Sequence, residues 1–372
     1  MSLLTLARRS ALGLAVAGLA VLSAEAAETT VTDVLGRKVD VTLPAERVVL
    51  GLYFTDYIAV GGTESFDKVV GLSREAWEGW TPTNWALFKT AMPQIETIAD
   101  VGEFEVGTFS VEKTLSLNPD VVVLADWQYQ ALGSDEDRLN AAGVDIVVVD
   151  YNAEDPARHA KSTEILGQIT GRTDRAAELS ALYQGTVDMV SDRLAKAGLP
   201  KPRVYVEFAN KGPEEIGNSF GKSMWGALAT LAGGDNIAAP VIDNWGPLSE
   251  EQILTAQPEV VVLAGRETEL TKNPAALVMG VGIDRAEAQK RLAGYPARKG
   301  WAELPAVRDG RVHAVYQGAS RTIADFAMIQ VFAKALYPQV FADLDPEAAY
   351  RDFWKTYLPV VPEGTFAMTL AQ

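Results

Sequence analysis

The chain has 372 residues, is 48% hydrophobic and carries a formal net charge of -16. That length allows two domains of ordinary size, and that charge argues against binding nucleic acid or an anionic membrane through bulk electrostatics. There are no cysteines, which excludes disulfides, thiolate metal sites, cysteine nucleophiles and a lipid-attachment cysteine together.

Arg8 and Arg9 precede an apolar run from Ala11 to Leu22 and the small-residue site Ser23-Ala24-Glu25-Ala26-Ala27. This pattern predicts a signal peptide over residues 1–26, cut after Ala26 or Ala27, with paired arginines that fit either the Sec or the twin-arginine route. The run is too short for a comfortable membrane span, so the expected mature product is soluble and periplasmic. Residues 31–43 then read as a β-hairpin turning at Gly36 and ending at Pro44. Arg47–Gly51 and Val69–Leu72 read as buried strands. A loop rich in Arg74, Trp77, Trp80 and Trp85 follows.

Phe109–Ala125 reads FSVEKTLSLNPDVVVLA, and Leu248–Ala264 reads LSEEQILTAQPEVVVLA. The two align without a gap. Ser110 and Ser249 are good N-caps, and Glu112 and Glu251 sit where a helix N-terminus favours negative charge. Pro119 and Pro258 force each helix to end. VVVLA, short, β-branched and apolar throughout, reads as a strand buried on both faces of a parallel sheet. One helix–turn–strand unit at two distant places predicts two similar lobes.

Between the copies, Asp135–Ala142 reads as a helix and Val144–Val149 as a strand. Asp155-Pro156 starts a helix that runs to Thr170. A second helical run, capped by Thr173, continues to Ala197 and closes at Gly198. At about 25 residues it would span roughly 37 Å, long enough to connect lobes. After the connector, Arg203–Phe208 reads as a strand and Asn218–Leu231 as a loop entering a helix. Glu267–Pro296 has no clear pattern. Arg311–Tyr316 reads as a strand, and Ala324–Leu336 and Pro346–Tyr357 as helices. The fold class expected is α/β: two lobes, each with a central, mainly parallel sheet, joined by one long helix. The expected divisions are residues 27–154, a helical connector over 155–198, and residues 199–372.

Several segments resemble the periplasmic substrate-binding proteins of ABC importers for iron–siderophores, haem and vitamin B12. They are TDVLGRKVDVTLPAERVV, both repeat copies, LGQITGRTDRAAELSALY, LATLAGGDNIA, WAELPAVRDGRVHAV and LYPQVFADLDP. Their order covers nearly all of the chain after the signal. The resemblance implies a ligand held between the lobes, only modest closure, no catalysis and no cofactor of its own. It implies a monomer that docks on an inner-membrane permease through one surface glutamate per lobe, which motif position assigns to Glu112 and Glu251. As plain helix-terminal charges each would contribute only about 0.3–1 kcal/mol.

Ligands in α/β sheets bind beyond the carboxyl ends of the strands. That rule selects Tyr53, Asp56 and Tyr57 with Phe54 after the first strand, and Trp127 and Tyr129 after the repeat strand; Arg74 and Trp77 join them as candidates from the aromatic-rich loop. In the second lobe it selects Lys211, Arg266, Tyr316 and Arg321. Trp245 and Phe104 precede and flank the repeat copies, and Trp245 resembles a cleft tryptophan of the vitamin B12 binder. Aromatics suit a large flat ligand, and the cations an anionic chelate. A ferric siderophore is the expected cargo, with vitamin B12, haem and a molybdate-type oxyanion as alternatives. His159 and His313 have no partner at ligand spacing and read as structural. Tyr53, Asp56 and Tyr57 could offer oxygens to ferric iron, although spacing does not establish it. GNSFGKS at Gly217–Ser223 is one residue short of a phosphate loop, and Ser219–Lys222 matches S-x-x-K without its companion motifs. The rival class is an exported carboxylate-dependent hydrolase. A further rival keeps the binding fold but makes the protein a soluble sensor.

Overall fold

The computed structural model describes residues 27–371. The expected signal peptide lies outside them. β1 (Ala27–Thr32) and β2 (Lys38–Leu43) form the expected antiparallel hairpin, with Gly36 at φ +79° in the turn, a conformation that glycine adopts at little cost. The first sheet is then assembled from β3 (Val48–Leu50), β4 (Val69–Leu72), β5 (Ala99–Asp100), β6 (Val121–Ala125) and β7 (Asp145–Val149). Its order is β5-β4-β3-β6-β7, and every pairing is parallel. Between these strands lie α1 (Phe54–Gly61), a π turn (Glu75–Gly79), α2 (Pro82–Ala91), α3 (Val111–Ser116), α4 (Asp126–Leu132) and α5 (Asp135–Ala141).

α6 (Pro156–Thr170) starts where Asp155 accepts the Arg158 N–H. It packs on α1 and β7 and so belongs with the first sheet. α7 (Thr173–Ala197) is the 25-residue helix. Its cap is Arg172, with no side-chain bond; Thr173 is already helical. α7 touches α1 and α6 on one side and, through its other contacts, the second sheet's helices.

The second sheet comprises β8 (Arg203–Phe208), β9 (Asn218–Phe220), β10 (Asp235–Asn236), β11 (Trp245–Pro247), β12 (Val260–Gly265), β14 (Val312–Tyr316) and β16 (Ala367–Thr369). The main path is β11-β9-β8-β12-β14-β16, with β10 also on β8. β8, β12 and β14 are parallel; β9 pairs antiparallel with β8, β11 antiparallel with β9, and β16 antiparallel with β14. β13 (Gly280–Val281) pairs with β15 (Gly364–Thr365) apart from it. The helices here are α8 (Met224–Leu231), α9 (Glu250–Ala256), α10 (Arg285–Leu292), α11 (Pro305–Arg308), α12 (Phe326–Leu336) and α13 (Pro346–Tyr357). Asn218–Phe220 is therefore a strand where the sequence suggested a loop, and β16 adds an edge strand that short, mixed sequence did not reveal. The segment without a pattern holds a 3-10 turn (Glu267–Thr271), β13 and α10.

The repeat occupies the same place in both sheets. β6 lies between β3 and β7, and β12 between β8 and β14. Every residue of both VVVLA segments is buried, as a strand packed by helices on both faces must be. Ser110 accepts the Lys113 N–H and Ser249 the Gln252 N–H, each at 3.2 Å. Before each proline the chain turns through a left-handed residue, Asn118 at φ +47° and Gln257 at φ +48°. Among the described residues no helix is long and apolar enough to cross a membrane.

Candidate functional site

The sheets meet at the carboxyl ends of β3, β7 and β14. Asp56, on the first turn of α1, accepts the Thr322 hydroxyl at 2.8 Å and the Ile323 N–H at 2.7 Å. Glu154, after β7, accepts the Arg321 N–H at 2.8 Å. Met224 N–H donates to the Asn152 carbonyl at 3.1 Å. Asp56 thus works as a lobe-to-lobe acceptor rather than as a free ligand group. Burial raises its pKa to about 6.

Arg321 is the focus of this junction. Its backbone is left-handed at φ +65°, a conformation a branched-out side chain adopts only when the surroundings impose it. Its Nε is fully shielded and unpartnered, and its guanidinium makes no ion pair or hydrogen bond among the described residues. Burial lowers its pKa, and nearby Arg266 lowers it further, while Tyr53, Glu154 and Glu105 oppose that shift. Tyr53 stands beside it, its hydroxyl donating to Asn152 Oδ1 at 2.8 Å and accepting the Tyr151 N–H at 3.2 Å. Tyr316 forms another wall, packed edge-on against Phe366. Arg266 lies over the Phe208 ring at 5.3 Å and donates to Glu269 at 2.7 Å. Glu267 is also here. Its pKa is raised by burial, against the smaller opposing effects of its own backbone N–H and of Thr83 on α2.

Other predicted residues fall elsewhere. The strand ends run straight into helices, not into loops, and this reassigns their side chains. Tyr57 lies one turn into α1, is 1% exposed and packs edge-on against Phe66. Trp77 is 2% exposed, stacks on Phe54 at 4.9 Å and donates to Asn84 at 2.7 Å. Both are first-lobe core and offer no face to a ligand. Arg74 is occupied by the carbonyls of Glu96 and Ile98, at 2.7 and 3.2 Å. It lines a shallow hollow with Glu78, Asp100, Ser110 and Lys113. Lys211 is paired with Glu215 on the surface.

α4 starts at Asp126, so Trp127 and Tyr129 point to different sides of a helix. Trp127 pairs with Trp80 at 6.2 Å between ring centres. Tyr129 instead bonds Glu136 and lies under Arg37 at 4.0 Å, away from the lobe junction. Phe104 stacks on Phe109 at 4.2 Å. Trp245, on edge strand β11, is 53% exposed and keeps a free aromatic face. Glu112 and Glu251 are both exposed on the first turns of α3 and α9. Glu112 is paired with Arg138, while Glu251 borders a hollow with Leu254 and Lys299. His313 bonds Thr369 at 3.0 Å, and burial pulls its pKa down to about 4. Trp80, Thr83, Asn152 and Glu267 were missed. A tryptophan in an aromatic-rich loop was a usable signal; the other three are common surface residues with none.

Residues 58–316 match the family model described as periplasmic binding protein. The vitamin B12-binding protein of Yersinia pestis (strain Pestoides F) is 27% identical over 161 residues, 43% of this chain and 54% of the relative. The chain thus spans about half the length of the curated relatives it matches. The TroA-like periplasmic binding protein FepB from Veillonella parvula is 34% identical, with a TM-score of 0.85 over 92% of this chain and 99% of that one. The molybdate periplasmic binding protein MolA of Haemophilus influenzae, solved with molybdate, shares the fold at 18% identity and a TM-score of 0.67, over 91% and 100%. These are binding proteins, not enzymes, and the hydrolase reading finds no support among them. With its family model spanning most of the chain and FepB alike from end to end, the protein belongs to the periplasmic binding protein family.

Proposed function

We propose that the protein captures an anionic metal chelate, a ferric siderophore, between its two sheets and delivers it to the permease of an ABC importer. The observation that carries this reading is Arg321, a half-buried residue at the lobe junction whose shielded Nε finds no partner and whose guanidinium has no counter-charge bonded to it. An unpaired buried cation is costly, and an arriving anion relieves that cost while gaining charge-assisted hydrogen bonds. The half-buried Trp80–Trp127 pair and the exposed Trp245 supply aromatic surface, which suits an organic chelate better than a bare ion. A bare oxyanion is the second reading, because a single guanidinium is enough to hold one.

A thermal-shift panel of ferric catecholate, hydroxamate and carboxylate siderophores, corrinoids, haem and molybdate tests this. A ligand at 100 times its Kd adds about 2.7 kcal/mol of stability, so the cognate compound raises the midpoint plainly. Stabilisation by molybdate alone selects the second reading, and stabilisation by none of the panel overturns both.

Delivery is assigned to Glu112 and Glu251, one on each lobe. Reversing both, Glu112→Lys with Glu251→Lys, is expected to abolish uptake in cells while leaving ligand affinity of the purified protein unchanged. Undiminished uptake would remove these residues from the docking role.

A further inference from the structure

Below the junction, buried polar groups from both lobes and the connecting helix converge. Glu154 comes from the loop after β7, His159 from α6, Tyr183 from α7 and Asp325 from the turn that opens α12. Ligand-type atoms of Glu154, His159 and Asp325 all lie within 4.8 Å of one another. The exposures of these residues are 2%, 1% and 0%. Each carboxylate has one oxygen satisfied. Glu154 Oε1 accepts the Arg321 N–H at 2.8 Å, and Asp325 Oδ2 accepts the Thr322 N–H at 3.0 Å. Glu154 Oε2 and Asp325 Oδ1 find no donor, and the Tyr183 hydroxyl is likewise unpartnered.

Two buried carboxylates within 4.8 Å of each other, each with an oxygen that has no donor, are unstable in a dry site unless a hydrogen is supplied. Two carboxylates this close cannot both ionise in a low-dielectric interior. His159 does not fill the need, because its Nε2 bonds the Tyr151 carbonyl at 3.1 Å and, although 3.2 Å from Glu154 Oε2, leaves that oxygen without a donor. The same contact with a carbonyl argues for an N–H at that nitrogen rather than a lone pair free for a metal ion.

We propose that Glu154 and Asp325 share one proton, forming a carboxyl–carboxylate bridge that ties the second lobe to the first beneath the cleft.

The groups facing the pair are Asp150, Asp155, Tyr151 and His159 of the first lobe, Asp56 of α1, Tyr183 of α7, Arg321 of the second lobe and Tyr350 of α13. Arg321 and His159 favour ionisation, and the neighbouring carboxylates oppose it. Burial dominates: it raises Glu154 to about 8 and moves Asp325 in the same direction. A carboxyl raised in the joined state binds a proton that the separated or unfolded state releases. The stability this raised carboxyl contributes is therefore fully present below the ordinary carboxylate range and is lost as pH rises through about 8, where the shared proton leaves. Asp56, raised to about 6, acts in the same direction but titrates earlier.

Melting between about pH 7 and about pH 9 isolates the bridge from Asp56. The wild-type midpoint is expected to fall by several degrees over this interval. Glu154→Gln, whose amide supplies the hydrogen permanently, is expected to be flat. A cysteine-free chain allows dyes on Asp137→Cys and Glu303→Cys, one per lobe, and their separation should grow with pH in the wild type only. A wild type without the slope, or a Glu154→Gln variant that keeps it, overturns the proposal. If Glu154→Gln does not fold, infrared spectra of the wild type decide. The carbonyl band of a protonated carboxylic acid should be present at the lower pH and fade at the higher, and its absence throughout refutes the bridge. Zinc alone raising the wild-type midpoint at neutral pH, and not that of Glu154→Gln, would put a cation in the proton's place and refute it equally.

Discussion

Arg298→Ala is expected to cost about 3–5 kcal/mol of stability, the penalty for leaving a buried carboxylate without its partner. Arg298 meets Glu207 through two bonds, Nη1 to Oε2 at 2.6 Å and Nη2 to Oε1 at 2.9 Å. The side chains are 5% and 0% exposed. Three carbonyls complete the guanidinium's bonding, those of Pro213, Gly212 and Glu215, and the rings of Tyr295 and Trp301 sandwich it at 4.6 and 4.7 Å. Glu207 also accepts the Tyr205 hydroxyl at 3.0 Å and the Gly217 N–H at 2.9 Å. One substitution therefore strands a charge in the second sheet and frees the 212–215 loop. Against a total of roughly 5–15 kcal/mol for a typical protein this is a large fraction. The exposed pair Arg193–Asp343, 34% and 61% exposed, is screened by solvent and should contribute far less. Urea unfolding of Arg298→Ala beside Arg193→Ala measures both. Equal losses in the two variants would contradict the assignment. Pairing Arg298→Met with Glu207→Leu should cost less than Arg298→Ala alone, because no uncompensated charge then remains.

Arg321→Ala is expected to weaken binding of an anionic ligand by about thirtyfold or more, the equivalent of about 2 kcal/mol or more for truncating one partner of a buried charge pair. Arg321→Lys should restore part of the loss, since it keeps the charge and gives up the planar fork. Arg74→Ala and Lys211→Ala should leave affinity unchanged, because Arg74 is committed to first-lobe carbonyls and Lys211 to a surface glutamate. Calorimetric titration of these four variants with the compound that stabilises the wild type checks the pattern. An Arg321→Ala variant with wild-type affinity would remove the cation from the site.

The architecture was legible because local signals and burial agree where the chain builds regular layers. VVVLA is apolar at every position, and both copies form the middle of a parallel sheet. Asp155-Pro156 and Gly198 bracket the helical stretch at its true ends. The edges of the second sheet were less legible. Asn218–Phe220 and Ala367–Thr369 are too short to carry a period, and only their partners make them strands. The site was readable in part. The rule that places ligands past strand ends led to Tyr53, Arg266, Tyr316 and Arg321, which do come together. It also selected Tyr57, because the sequence does not say that α1 begins at once and turns Tyr57 inward. Glu207 was hidden in plain view: a lone carboxylate within the buried strand RVYVEF demands a partner, but Arg298 is 91 residues away, just past the stretch without a pattern. Glu154, His159 and Asp325 were likewise invisible as a group, since only the closing of one lobe on the other joins residues so far apart in the chain.

Native mass spectrometry of the protein taken from its own periplasm tests the central claim most directly. The account predicts a bound anionic small molecule carrying a metal, present on the wild type and lost or sharply reduced on Arg321→Ala. Wild-type protein that is bare under every growth condition, including metal limitation, or a cargo that stays equally on Arg321→Ala, would contradict it.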